Sequence, residues 1–166
     1  MSVAMFIKMD GITGETKNYD YKGWSDVVSW SWGMSSNRDS ARLHDDDKTS
    51  FKEISITKRI GMDSTDIMLL FAQGKTVKNI EFIIIPVVGA RDAKQKYLSM
   101  RMENVVIKSI TTGGSAAEDF FKENIVLLFD KIRFEYNYHP GVTTANPSGA
   151  SVDYKFGWDI AMNQAW

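Results

Sequence analysis

From residue 25 the chain reads SDVVSWSWGM. Asp26, Val28, Trp30, Trp32 and Met34 are mostly large, while Ser25, Val27, Ser29, Ser31 and Gly33 are small. A period of two belongs to a strand, whose successive side chains point to opposite faces. The pattern predicts a strand over 25–34 with its large side chains buried and an opposite face that is small rather than charged. The alternation recurs in Val3, Met5 and Ile7 ahead of the turn residues GITGE, and in Ile54, Ile56 and Ile60 against Glu53, Ser55, Thr57 and Arg59. It returns in Ile132, Phe134, Tyr136 and Tyr138 against Lys131, Arg133, Glu135 and Asn137, and in Tyr154, Phe156, Trp158 and Ile160.

Two segments depart from simple alternation. IEFIIIPVV at 80–88 is apolar at both parities apart from Glu81, so both of its faces require cover. Pro86 has no N–H for a ladder and places an edge or a strand end there. Between Leu98, Met100, Met102 and Val105, Ile107 the apolar parity slips by one, which predicts a bulge near Asn104. One helix is expected in DSTDIMLLFAQG, with Asp63 or Ser64 as N-cap, Gly74 at the C-terminal cap, and Ile67, Met68, Leu70 and Phe71 turned to a sheet. SSNRDSARLHDDDKTS at 35–50 is a long polar loop, and TTGGSAAED and HPGVTTANPSGAS are further loops. Seven or eight strands and one helix predict a mainly β protein, a small closed or nearly closed antiparallel barrel, because closure removes unpaired edges. No repeat or internal boundary divides residues 1–166, so a single domain is expected.

Composition narrows the function classes. With 43% hydrophobic and 25% charged residues the chain has the balance of a folded globular protein. A net charge of -1 supplies no basic field for nucleic acid or an anionic membrane. The absence of cysteine excludes disulfides, thiolate catalysis and zinc-thiolate sites. No apolar run approaches the ~18 residues of a membrane helix, so membrane insertion is not expected. MSVAMFIKMDG has no basic stretch followed by a long apolar one, and export through a cleaved signal peptide is likewise not expected.

Candidate chemistry is sparse. His44 in RLHDDDK lies beside Asp45, Asp46 and Asp47, but the spacing lacks the alternating acids, central glycine and distal glutamate of a calcium loop. The sequence reads there as a solvated acidic loop, and His139 before Pro140 as a loop residue. TTGGS lacks the lysine and helix onset of a phosphate-binding loop. Ser29 and Ser31 lack the flanking glycines of a nucleophile elbow. No catalytic residue, metal or cofactor is assigned.

MFIKMDGITGETK at 5–17, KGWSDVVSWSWGM at 22–34, TTGGSAAED at 111–119 and KFGWDI at 155–160 together resemble the haemolysin-coregulated protein (Hcp) family of the bacterial type VI secretion system. The resemblance implies a β-barrel with a flanking helix, similar in fold to phage tail-tube proteins. It implies a homo-hexameric ring, stacking of rings into a tube, and a contracting sheath that drives the tube out of a Gram-negative cell, with spike and baseplate proteins as further partners. It also implies effector proteins carried in the ring, no enzymatic activity, no cofactor and no C-terminal effector extension. The protein would be made in the cytoplasm and then secreted without a cleaved signal.

On that resemblance Ser29 and Ser31 are expected to line the ring lumen and touch effectors, and Trp30, Trp32, Phe134 and Trp158 to fill the barrel. Arg38, Arg42, His44, Asp45 and Asp46 of the long loop, with Ile83 and Ile85 of the two-faced strand, are expected to contact a neighbouring subunit or ring. The second face of that strand is covered either by a neighbour or by the helix. A different class stays open on the residues alone: a monomeric barrel that binds a small ligand or acts as a hydrolase.

Overall fold

The computed structural model describes residues 3–36, 49–87, 97–138, 148 and 150–166. Its strands are β1 Val3–Met9, β2 Ser25–Ser31, β3 Met34–Ser36, β4 Thr49–Phe51, β5 Ile54–Arg59, β6 Val77–Pro86, β7 Leu98–Gly113, β8 Lys122–Leu128, β9 Lys131–Tyr138, β10 Val152–Asp159 and β11 Gln164–Ala165. The helix α1 spans Ser64–Ala72. The neighbours β7, β6, β1, β2, β5 and β8 follow one another, and β8 pairs back onto β7, so six antiparallel strands close a barrel. β9, β10 and β11 extend the sheet as a wing from the first half of β7, while β3 and β4 form a separate hairpin.

The core is filled by alternate apolar side chains of successive strands. Ile54 and Ile56 on β5, Ile80 and Phe82 on β6, Met100 and Met102 on β7, Ile125 and Leu127 on β8 and Ile132 on β9 are at most 1% exposed. The slip in β7 is real. Asn104 takes a left-handed φ of 52°, so Met100 and Met102 hand over to Val105 and Ile107 without the core losing a side chain. Pro86 is the last residue of β6, where a missing N–H costs no rung. Gly74 has φ 65°, the left-handed cap expected after α1.

Several expectations need correction. β2 ends at Ser31, and its ladder to β5 shifts between Val27 and Ser29. Ser25 and Val27 therefore point inward and Asp26 and Val28 outward, after which Trp30 turns to the core. Asp26 and Val28 thus do not share a face with Trp30, because the irregularity exchanges the faces in mid-strand. On β5 the third inward position is Lys58, and Ile60, expected there by parity, lies beyond the strand at 41% exposure. Of the apolar residues of α1 only Ile67 is fully buried, with Leu70 half-buried; Met68 and Phe71 are exposed, so the helix touches the barrel along a narrower apolar stripe than predicted.

The outer face of β6 is covered at Ile83 and Ile85 from within the chain, and not by the helix. Ile83 and Ile85 form a second small core with Phe6, under Tyr21 and Trp24 from the segment between β1 and β2. At 1% and 4% exposure they have no surface left to offer another subunit, which corrects their expected contact role.

Candidate assembly face

The strands β2, β5, β8 and the second half of β7 lie side by side and turn a common face away from the barrel core. Cross-strand register sets Ser29 opposite Thr57, Thr57 opposite Asn124, and Asn124 opposite Thr111. The next row runs Ser31, Ser55, Val126, Ser109. Each of these residues is exposed or half-buried, while their neighbours along each strand, such as Ile56 and Ile125, fill the interior. The result is a carpet of hydroxyls with one amide and one valine, without a charged side chain in either row.

Asn124 organises the carpet. Its Nδ2 donates to Ser55 Oγ at 2.9 Å and to Thr57 Oγ1 at 3.0 Å, two bonds that cross one strand gap. Those hydroxyl oxygens are thereby used as acceptors, which leaves their O–H groups and the Asn124 carbonyl to face outward. Charged residues appear only at the margins. Lys108 pairs with Glu53 at one end, and at the other Arg59 holds its guanidinium 4.0 Å from the Phe120 ring. Beside Thr57, Asn124 and Thr111 the surface dips into a hollow of about 360 Å³ bounded by Gly113 and Gly114.

Directly behind this face sits a buried charge cluster that sequence reading missed. The Lys58 ammonium donates to Arg59 O at 2.7 Å and to Asp63 Oδ1 at 3.0 Å, and forms an ion pair with Glu123 Oε1 at 2.5 Å. Lys58, Asp63 and Glu123 side chains are 1%, 4% and 0% exposed. Ser25 Oγ donates to Asp63 Oδ2, and Ser64 Oγ donates to Glu123 Oε1 at 2.8 Å while accepting from Gly61 N at 3.0 Å. Enclosed by one carbonyl and two carboxylates and 1% exposed, the Lys58 side chain is not aimed at a substrate. Among the described residues no group of three or more His, Cys, Asp or Glu is placed to hold a metal.

Of the residues singled out by sequence, Ser29 and Ser31 are both exposed on this face. Trp30, Trp32 and Phe134 are half-buried and pack onto the core; Trp32 also donates from Nε1 to Lys52 O at 3.0 Å. Trp158 is half-buried and stacks on Phe51 of the β3–β4 hairpin at 6.1 Å. Arg38, Arg42, His44, Asp45 and Asp46 lie outside the described residues, as does His139. Ser55, Thr57, Ser109, Thr111 and Asn124 were not singled out, since each alone is an ordinary polar strand residue and only the register unites them.

Residues 6–136 match the family model described as type VI secretion system effector, Hcp. The chain belongs to the Hcp family. It is 31% identical over 165 residues to protein hcp1 of Pseudomonas aeruginosa, covering 98% of both chains. In fold it is similar to a type six secretion system protein at TM-score 0.82 and 20% identity, with 99% of this chain and 100% of that one aligned. A type VI secretion system effector from Yersinia pestis aligns at TM-score 0.69 and 25% identity over 94% and 99% of the two chains. This Hcp-family barrel is therefore a type VI secretion protein, and no helix among its described residues is long and apolar enough to cross a membrane.

Proposed function

We propose that the chain is a structural subunit of the type VI secretion tube, not an enzyme. Six copies close into a ring, rings stack, and the tube leaves the cytoplasm by sheath contraction, with the spike and baseplate at its end. The observation that carries this reading is the uncharged carpet continuous across β2, β5, β8 and β7. On a monomer so broad a face of small polar groups has no evident task; turned to the lumen of a ring it makes a wet, smooth wall.

Effector proteins travel against that wall, with Ser29 and Ser31 in contact. Small side chains let a cargo backbone approach closely, and six symmetry copies make a weak contact multivalent. Arg38, Arg42, His44, Asp45 and Asp46 contact a neighbouring subunit or ring, a role suited to the length and polarity of the loop that bears them.

Ser31→Gln tests the cargo role. Ser31 is exposed, so the longer chain is expected to spare folding and ring formation while reducing the effectors that co-purify. A folded ring that keeps every effector would sink the cargo role. A monomer near 18.8 kDa by native mass, at micromolar concentration and ordinary salt, would remove the ring itself.

A further inference from the structure

Lys58 and Glu123 are direct cross-strand partners of β5 and β8, and the next pair along is Thr57 with Asn124. The buried ion pair and the organising amide of the outward carpet are thus fixed by one and the same register. Apolar patterning does not fix that register on the β8 side. Ile125, Val126, Leu127 and Leu128 are apolar at both parities, so a one-residue slip exchanges Ile125 and Leu127 for Val126 and Leu128 at little apolar cost. The other ladder of β8, to β7, is irregular, with its pairing shifted between Ile107 and Ser109.

We propose that Lys58, Asp63 and Glu123 are register-determining residues that position Asn124 and Thr57 on the carpet. A slip of β8 would carry Glu123 to the outer face and Asn124 inward, and would leave the Lys58 ammonium buried with Asp63 as its only carboxylate. Asp63 ties the pair further to β2 through Ser25, and Ser64 ties Glu123 to the first turn of α1. Four elements are thereby locked to one alignment. Stability alone does not explain such a cluster. Glu123 Oε2 is buried without a hydrogen-bond partner, a cost that an apolar pair of the same size avoids. A buried polar pair that selects one register over its neighbours is the better-attested use of such groups.

Cross-linking tests this directly, because the chain has no cysteine of its own. Thr57→Cys with Asn124→Cys reports the native register. Thr57→Cys with Ile125→Cys reports the slipped one, since Ile125 points inward unless β8 has moved. In the parent background the first pair is expected to oxidise and the second not. With Lys58→Met, Asp63→Asn and Glu123→Leu combined, the 57–125 cross-link should rise about tenfold or more in a chain that still folds.

Should the triple variant not fold, Glu123→Gln alone, which keeps the shape and removes the charge, carries the same test with the same cysteine pairs. A folded variant locked in the parental register overturns the proposal. The consequence for assembly rests on the tube reading: slipped chains should give fewer rings and retain less effector. If the parent itself forms no ring, that reading fails while the cross-linking result stands.

Discussion

Tyr21 stacks on Phe6 with ring centroids 4.9 Å apart and planes 17° from parallel. Trp24 meets Tyr21 edge-on at 5.5 Å, and beneath the three rings lie Ile83 and Ile85. The outer side of β6 is thus sealed by a segment with no apolar period of its own. Tyr21→Ala is expected to cost about 2 kcal/mol, the lower part of what truncating a large aromatic costs, because Tyr21 is half-buried. Urea unfolding followed by tryptophan fluorescence measures it; an unchanged midpoint would mean that Trp24 alone covers the strand.

Burial, and after it the Asp20 carboxylate, hold the Tyr21 hydroxyl above its ordinary pKa of 10.0; burial and the neighbouring Tyr97 do the same for Tyr136. A raised value means the folded state grips the proton more tightly than the unfolded chain. Below pH 10 both states are protonated and nothing is lost; above it the unfolded chain ionises first, and stability falls as pH climbs through the raised values. Absorbance titration at alkaline pH should show a late phase that shrinks in Tyr21→Phe.

Lys58→Met leaves Asp63 and Glu123 buried without their shared cation. The expected loss is about 3–5 kcal/mol, as for a buried pair deprived of one partner. Chemical denaturation of this single variant should therefore look far worse than that of a variant with all three charges removed. Equal midpoints for the two would show that uncompensated charge is not what the lysine prevents.

Trp30 and Trp32 are expected to cost about 3 kcal/mol each on truncation to alanine, near the lower limit for core aromatics because both are half-buried. Trp30 packs against Phe82 at 5.5 Å, and Trp32 spans Phe129 and Phe134 at 6.4 and 6.2 Å. Their targets differ, so the two losses should add within a few tenths of a kcal/mol. Strong non-additivity in the double variant would reveal a shared cavity.

Gly157 lies under the C-terminal fold-back. A Cβ there would sit 2.0 Å from the Trp166 carbonyl oxygen, while the Trp166 ring is held 4.2 Å from the Arg133 guanidinium. Gly157→Ala should displace β11 and cost about 1–3 kcal/mol, as overpacking does. Faster amide exchange at Gln164 and Ala165 is the local sign to measure; parental exchange there would show that the backbone has room to yield.

The strands with one apolar parity, such as β5 at Ile54 and Ile56 or β9 at Ile132 and Phe134, were legible because burial acts on alternate residues. Lys58 was not, since a lysine at an apolar parity makes sense only once Glu123 arrives from a strand far along the chain. The exchange of faces in β2 was hidden for a similar reason: the irregularity at Val27 to Ser29 arises against β5, and composition does not record it. Ser29 and Ser31 could be found because tryptophans stand opposite them in sequence. Asn124 and Thr111 belong to the same face through hydrogen-bonded register alone, a relation that a linear pattern does not carry.

β7 is sixteen residues long and belongs to two structures at once: its first half pairs with β9 in the wing, and its second half pairs with β8 in the barrel wall. A load applied to the wing along the strand direction is therefore carried into the barrel by one unbroken length of backbone. Loaded lengthwise, the rungs on either side of β7 share the force in shear instead of parting one after another like a zip. Asn104, left-handed at φ 52°, is the joint between those two halves of the spar.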